Sequence, residues 1–243
     1  MSIDQPQPAA TAPAERANGV ATYFGVLFSP GEAFDTLARV PMWGWACILG
    51  LVISFVAAII GLPATLHIAQ VAQQTAIAQA PADQQQAMRD GISKFAPFMG
   101  PSIFIGVLIV TWIIWLISAL VILAAAAIGR GVAKFANAWS VALNLYAIPA
   151  LGSVIANVIL RLQGPENINK QSDAFVLPSL SMVIHGDAKL SAFLYTFNVI
   201  NLWLYAVFAI ALQRTMKVGS ATAWVATVVF AVLSALLAMA FAK

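Results

Sequence analysis

Charge is what this sequence has least of. Asp, Glu, Lys and Arg make up 9% of its 243 residues, 61% are hydrophobic, and mean hydropathy is +0.89. Soluble domains carry roughly 25% charged residues, so too few charges are present to coat a body in water. That excludes an ordinary soluble domain and points to lipid as the solvent. Cysteine is nearly absent as well: Cys47 stands alone inside the first apolar run, which rules out a disulfide framework. No Asn-x-Ser/Thr sequon occurs, in keeping with a bacterial protein. His67 and His185 are far apart and have no Cys or carboxylate at ligand spacing, so no metal site is expected. A net charge of +3, dispersed along the chain, gives no basic patch, and nucleic acid is excluded as a partner. No Ser–His pair, no paired intramembrane carboxylates and no phosphate-cradling glycine loop appears; "GRGVAKF" is a short turn after an apolar run. The chain therefore reads as no enzyme, with no cofactor.

What is abundant is long apolar runs. A bilayer core about 30 Å thick needs roughly 20 apolar residues in a helix. Five stretches qualify: Met42–Leu66, Gly100–Ile128, Ala138–Leu160, Leu190–Leu212 and Gly219–Ala242. The fourth is interrupted by Asn198 and Asn201 but surrounded by Phe, Leu, Ile, Trp and Val. The expected fold is all-α: a polytopic membrane helix bundle of five transmembrane helices, with an amino-terminal interfacial amphipathic helix. Residues 1–22 are rich in Pro, Ala and Gln, lack the basic start and apolar core of a secretory signal, and read as a disordered tail without a cleavage site. Residues 23–243 form the membrane domain.

The two faces carry six cations each, Arg16, Arg39, Arg130, Lys134, Arg214 and Lys217 against Arg89, Lys94, Arg161, Lys170, Lys189 and Lys243. Density separates them, because short loops close to the spans weigh most. Gly129–Asn137 and Gln213–Val218 each hold two cations and no acid. This places the amino terminus in the cytoplasm and the carboxyl terminus outside a bacterial inner membrane.

"LFSPGEAFDTLARVPMWGW" carries a helix start and stop just before the first span. Ser29 suits the N-cap, Pro30 the first helical position and Glu32 the third, a capping box, and Pro41 ends the helix. Ala33, Phe34, Leu37 and Ala38 share one face; Tyr23, Phe24, Leu27 and Phe28 make a second apolar stripe. Trp43 and Trp45 mark headgroup level. The favoured reading is a structural collar packed under the bundle. The alternative is a docking surface for a cytoplasmic protein partner, built from Phe24, Phe28, Glu32, Phe34 and Leu37. Across the membrane, "HIAQVAQQTAIAQAPADQQQAMRDGISKFAP" suits a helix broken at Pro81, with Met88, Ile92 and Phe95 lining its second arm. "AFVLPSLSMVI" is too short to span and fits a re-entrant or interfacial plug.

The span centres hold no ionisable residue, only neutral polarity. Asn137, Ser140 and Asn144 lie on one face of the third span, and Tyr146, Ser153 and Asn157 on the other. Asn198 and Asn201, three apart, share a face. Interhelical hydrogen bonds in lipid contribute roughly 0.6–2 kcal/mol each, so Asn144, Tyr146, Asn157, Asn198 and Asn201 read first as glue between the third and fourth spans. The alternative is a polar path there for a lipid headgroup or small solute. In the last span, Ala and Ser at small-xxx-small spacing suit close packing.

Three of these patterns together resemble the bacterial branch of the Yip family. "LFSPGEAFDTLARVPMWGW" is similar to that family's F-S-P-x-E-A-F helix followed by Pro and aromatics, and "YAIP" of Tyr146–Pro149 to its Tyr/Pro signature. "FNVINLWLYAVFAIAL" is similar to its D-x-F-x-x-W pattern, with Asn198 where the acid is usual and Trp203 at the tryptophan position. The resemblance implies a bundle of about five spans with a cytoplasmic amino terminus. Eukaryotic members bind prenylated Rab-type GTPases and shape secretory membranes; no pattern here identifies a GTPase, and the long acidic, aromatic amino-terminal region of that branch is missing. The functional expectation is a non-enzymatic scaffold or adaptor in contact with membrane lipid, with a lipid or solute transporter as the alternative.

Overall fold

A computed structural model describes residues 17–168 and 171–242. The stretch expected to be a disordered tail lies mostly outside them, but its boundary moves: helix α1 (Gly19–Phe28) begins where the tail was to continue. Asn18 starts it, its side-chain oxygen accepting from the backbone N–H of Val20 at 3.1 Å and Ala21 at 3.2 Å. Helix α2 (Pro30–Arg39) has Ser29 at the N-cap, Pro30 first and Glu32 in the opening turn, as the sequence indicates. The capping box itself does not form: the Ser29 side chain makes no cap bond. Ser29 also terminates α1, donating its N–H to the Gly25 carbonyl at 2.7 Å, and its backbone serves that end first.

Helices α3 (Gly44–Gln79) and α4 (Ala82–Ile128) have 36 and 47 residues. At 1.5 Å per residue they run about 54 and about 70 Å, far beyond a bilayer core. The two expected spans are their membrane portions; the rest is an antiparallel hairpin turned at Ala80–Pro81. Met88 and Ile92 are half-buried in that hairpin, whereas Phe95 is exposed rather than lining it.

The third span is interrupted, α5 (Phe135–Leu145) passing through Tyr146 into α6 (Ala147–Gln163). Pro149 accounts for the interruption, since its ring lacks an N–H and crowds the carbonyl four residues back, that of Leu145. The last span is α9 (Ser220–Phe241), whose buried stripe Ala223, Thr227, Ala231 and Ala235 packs on its neighbours at the small-residue spacing.

The expected continuous fourth span, Leu190–Leu212, is corrected. It is two helices, α7 (Ala188–Tyr195) and α8 (Val199–Arg214). Four helical stretches among the described residues are long and apolar enough to cross a membrane: α3, α4, Phe135–Gln163 and α9. Helix α8 is shorter, about 24 Å by its rise. The cause is the asparagine pair. Asn198 caps α8 by accepting from the Asn201 N–H at 3.0 Å, and its amide donates to the Tyr195 carbonyl at 2.9 Å. Asn201 donates to the Thr196 carbonyl at 3.0 Å. Short polar side chains that bond nearby backbone compete with the helix. The segment expected to be a plug docks at this corner: Ser179 bridges Asn198, and Val199 donates its N–H to the Pro178 carbonyl at 3.1 Å.

Three cation-bearing segments meet at one end of the bundle. Val132 donates its N–H to the Met216 carbonyl at 2.6 Å, joining the turn after α4 to the turn after α8. Thr215 Oγ1 donates to the Phe34 carbonyl at 2.9 Å, and Arg214 pairs with Asp35 at 3.2 Å, joining both to α2. These segments therefore share one end of the bundle.

Candidate functional site

At that end α1 and α2 form the collar. Tyr23, Val26, Ala33, Phe34 and Leu37 belong to one core with Trp115, Ile122, Leu143, Phe208, Leu212 and Met216. Two of the five candidate docking residues are thereby corrected: Phe34 and Leu37 are 0% exposed and inaccessible to a partner. Their apolar face is satisfied within the chain. Phe24 at 41% exposure, Phe28 at 82% and the exposed Glu32 remain on the outer surface. Burial, with Tyr146 close by, pushes the Tyr23 phenol above its usual pKa. The Tyr23 hydroxyl and the Trp115 indole N–H find no hydrogen-bond partner among the described residues.

The neutral polar residues do act as glue, but not between the third and fourth spans. Pro41 stops the helix before α3, which leaves the Met42 carbonyl outside any helix. Ser140 Oγ donates to it at 2.7 Å and Asn144 Nδ2 at 2.8 Å, so one face of α5 holds the turn into α3. Asn144→Leu is expected to cost about 1–3 kcal/mol, read as a lower thermal midpoint in detergent micelles. An unchanged midpoint would show that Ser140 alone suffices. Asn198 and Asn201 are spent on the α7–α8 corner described above, so no line of asparagines runs between the third and fourth spans.

Tyr146 and Asn157 sit elsewhere. They line a crevice of about 300 Å³ between α3, α4 and α6. Its floor is Ser54, Ala57, Ala58 and Gly61 of α3, with Thr111 of α4 and Ser153 of α6 on its walls. Tyr146 OH and Ser54 Oγ are 3.2 Å apart, and Ser54 Oγ donates to the Gly50 carbonyl at 2.7 Å, so the tyrosine is the donor of that pair. Trp115 closes this end, packing edge-on against Tyr146 at 5.6 Å between ring centres. Sequence reasoning missed Ser54, Gly61, Thr65 and Thr111. The signal was the run Gly50, Ser54, Ala57, Gly61, Ala64 along one face of the first span, the small-residue spacing already noticed in the last. Among the described residues no group of three His, Cys, Asp or Glu gathers that could hold a metal.

Such a bundle, with a collar, an interrupted third span and a broken fourth, defines a helical multi-pass membrane protein. The Yip1 domain matches residues 24–242, and the chain belongs to that family. It is 24% identical over 222 residues to membrane protein YknW of Bacillus subtilis (strain 168), covering 88% of this chain and 89% of that protein. No solved structure matches.

Proposed function

We propose that this protein is a non-enzymatic scaffold or adaptor of the bacterial inner membrane, with its collar in the cytoplasm and its carboxyl terminus outside. One observation carries the reading: α1 and α2 are pinned to the bundle by buried residues, yet hold Phe24, Phe28 and Glu32 outward. Phe28 is 82% exposed at the junction of two fixed helices. A rigid mount removes most of the ordering cost that a mobile loop would incur on binding. The short turns holding Arg130, Lys134, Arg214 and Lys217 support the cytoplasmic assignment by the positive-inside rule. The partner is a protein with an apolar side chain to seat against the two rings.

Site-specific photo-crosslinking from position 28 in native membranes tests this. A saturable protein adduct is expected, and Phe28→Asp should weaken co-purification of that partner about tenfold or more, the scale of a lost aromatic hot spot. Thermal stability should not change, because the side chain is exposed. An adduct consisting of lipid alone would overturn the reading.

A further inference from the structure

The crevice between α3, α4 and α6 is not explained by a docking function at the collar. It lies on the other side of the Trp115–Tyr146 layer from that surface. Measured along α3 from Gly44, Ser54 stands about 15 Å into the membrane and Thr65 about 32 Å. The crevice thus runs from mid-bilayer to headgroup level of the leaflet opposite the collar. Its rim is accessible from the lipid side: Val110, Ile114, Ser153 and Thr65 are exposed.

At the deep end of its polar wall the hydroxyl hydrogens of Tyr146 and Ser54 are both used, Tyr146 donating to Ser54 and Ser54 to Gly50. Farther along the crevice Ser153 Oγ donates to the Pro149 carbonyl at 2.9 Å, and nearer its mouth Thr65 Oγ1 donates to the Gly61 carbonyl at 3.1 Å. Both hydroxyl oxygens keep lone pairs free to accept. Asn157 Nδ2 donates one hydrogen to the Ser153 carbonyl at 2.9 Å, which leaves its second free. Gly61 makes this placement: a Cβ there would overlap the Asn157 side-chain oxygen. Ser153 and Asn157, one turn apart on α6, therefore offer an acceptor and a donor together, without charge. A hydroxyl, which gives one hydrogen bond and takes others, uses both; an ester carbonyl, which only accepts, uses the donor alone. In hydrocarbon the rest of a guest must be apolar, and the α4 wall, Ile103, Val107, Val110 and Ile114, supplies that surface.

We propose that this crevice binds one hydroxyl-bearing lipid, its free hydroxyl at Ser153 and Asn157 and a chain laid along α4. This holds whether or not the collar docks a protein.

The test uses the full chain in vesicles of phosphatidylcholine, which has no hydrogen-bond donor. A trace of diacylglycerol with a photoactivatable acyl chain is added, and labelling is mapped by peptide mass. Labelling is expected on the crevice segments of α3, α4 and α6 and is displaced by unlabelled diacylglycerol. The same probe with its hydroxyl acetylated should label about tenfold less, as should Asn157→Leu, about the effect of one good hydrogen bond in affinity. Gly61→Leu should lose labelling by filling the mouth. Because that variant risks misfolding, Ser153→Ala serves as a milder second probe of the same end. Equal labelling by the capped probe, or by Asn157→Leu, would overturn the proposal. Displacement by free glycerol as readily as by diacylglycerol would assign the site to a soluble polyol and overturn the lipid assignment.

Discussion

Phe34→Ala is expected to lower stability by about 3–5 kcal/mol, the range for emptying a fully buried aromatic site. Phe34 is 0% exposed in the common core, and its own carbonyl receives the Thr215 hydroxyl at 2.9 Å. Truncation opens a cavity between α2 and the end of α8, which the surrounding Leu37, Leu212 and Met216 cannot fill without moving the collar. For a chain of this size the thermal midpoint should fall by about 10 °C, and trypsin should gain access at Arg39. Phe34→Asp should be worse, because the position is fully buried and a buried charge is far costlier than a void. Phe28→Ala provides the contrast. The same residue type on the neighbouring helix is exposed, and its replacement should stay within about 0.5 kcal/mol of the wild type. Similar losses for the two would mean that the collar is not packed into the core.

That pair shows how far the sequence could be read. The stripe Ala33, Phe34, Leu37 identified a buried face, and Pro30 and Pro41 bounded the helix carrying it. What covers the face lies some 180 residues away, at Leu212, Thr215 and Met216. No local pattern distinguishes cover by the chain's own bundle from cover by lipid or a partner. The long apolar runs were legible because composition alone sets them. Their true lengths were less so, since Ala and Gln continue a helix into water without an apolar signature.

Asn198 and Asn201 teach a different lesson. Read as polar residues in a span, they seek partners on another helix. Read as an N-cap and the third helical residue, they announce a helix start inside an apolar run, and that is what α8 does. The apolar residues on both sides of Asn198 hide that start, because hydropathy is continuous across it. Conversely, Ser29 fits the capping pattern and forms no side-chain cap, because it must first end α1. Local signals name candidate boundaries; the backbone's other obligations decide which side chains serve them.

The junction beneath the bundle gives the second large effect. Gly131→Ala is expected to cost about 1–3 kcal/mol, the price of overpacking, despite adding only a methyl group. A Cβ at Gly131 would overlap the Met216 carbonyl oxygen, which is backbone and has no rotamer by which to withdraw. That same oxygen accepts the Val132 N–H at 2.6 Å, the bond joining the turn after α4 to the turn after α8. Both turns are already held in left-handed backbone, Arg130 at φ 54° and Lys217 at φ 55°, so little slack remains to absorb a shift. Relief must come from separating the two turns, which would loosen Thr215 from Phe34 and so the collar from the bundle. Gly106→Ala isolates the effect: that glycine lies inside α4 with open space around its Cβ direction. There alanine should stabilise by up to about 1 kcal/mol through helix propensity. Opposite signs for the two substitutions, in one set of thermal midpoints, are the expected result. If both raise the midpoint, the turns are free to part, and the collar is not anchored through Met216.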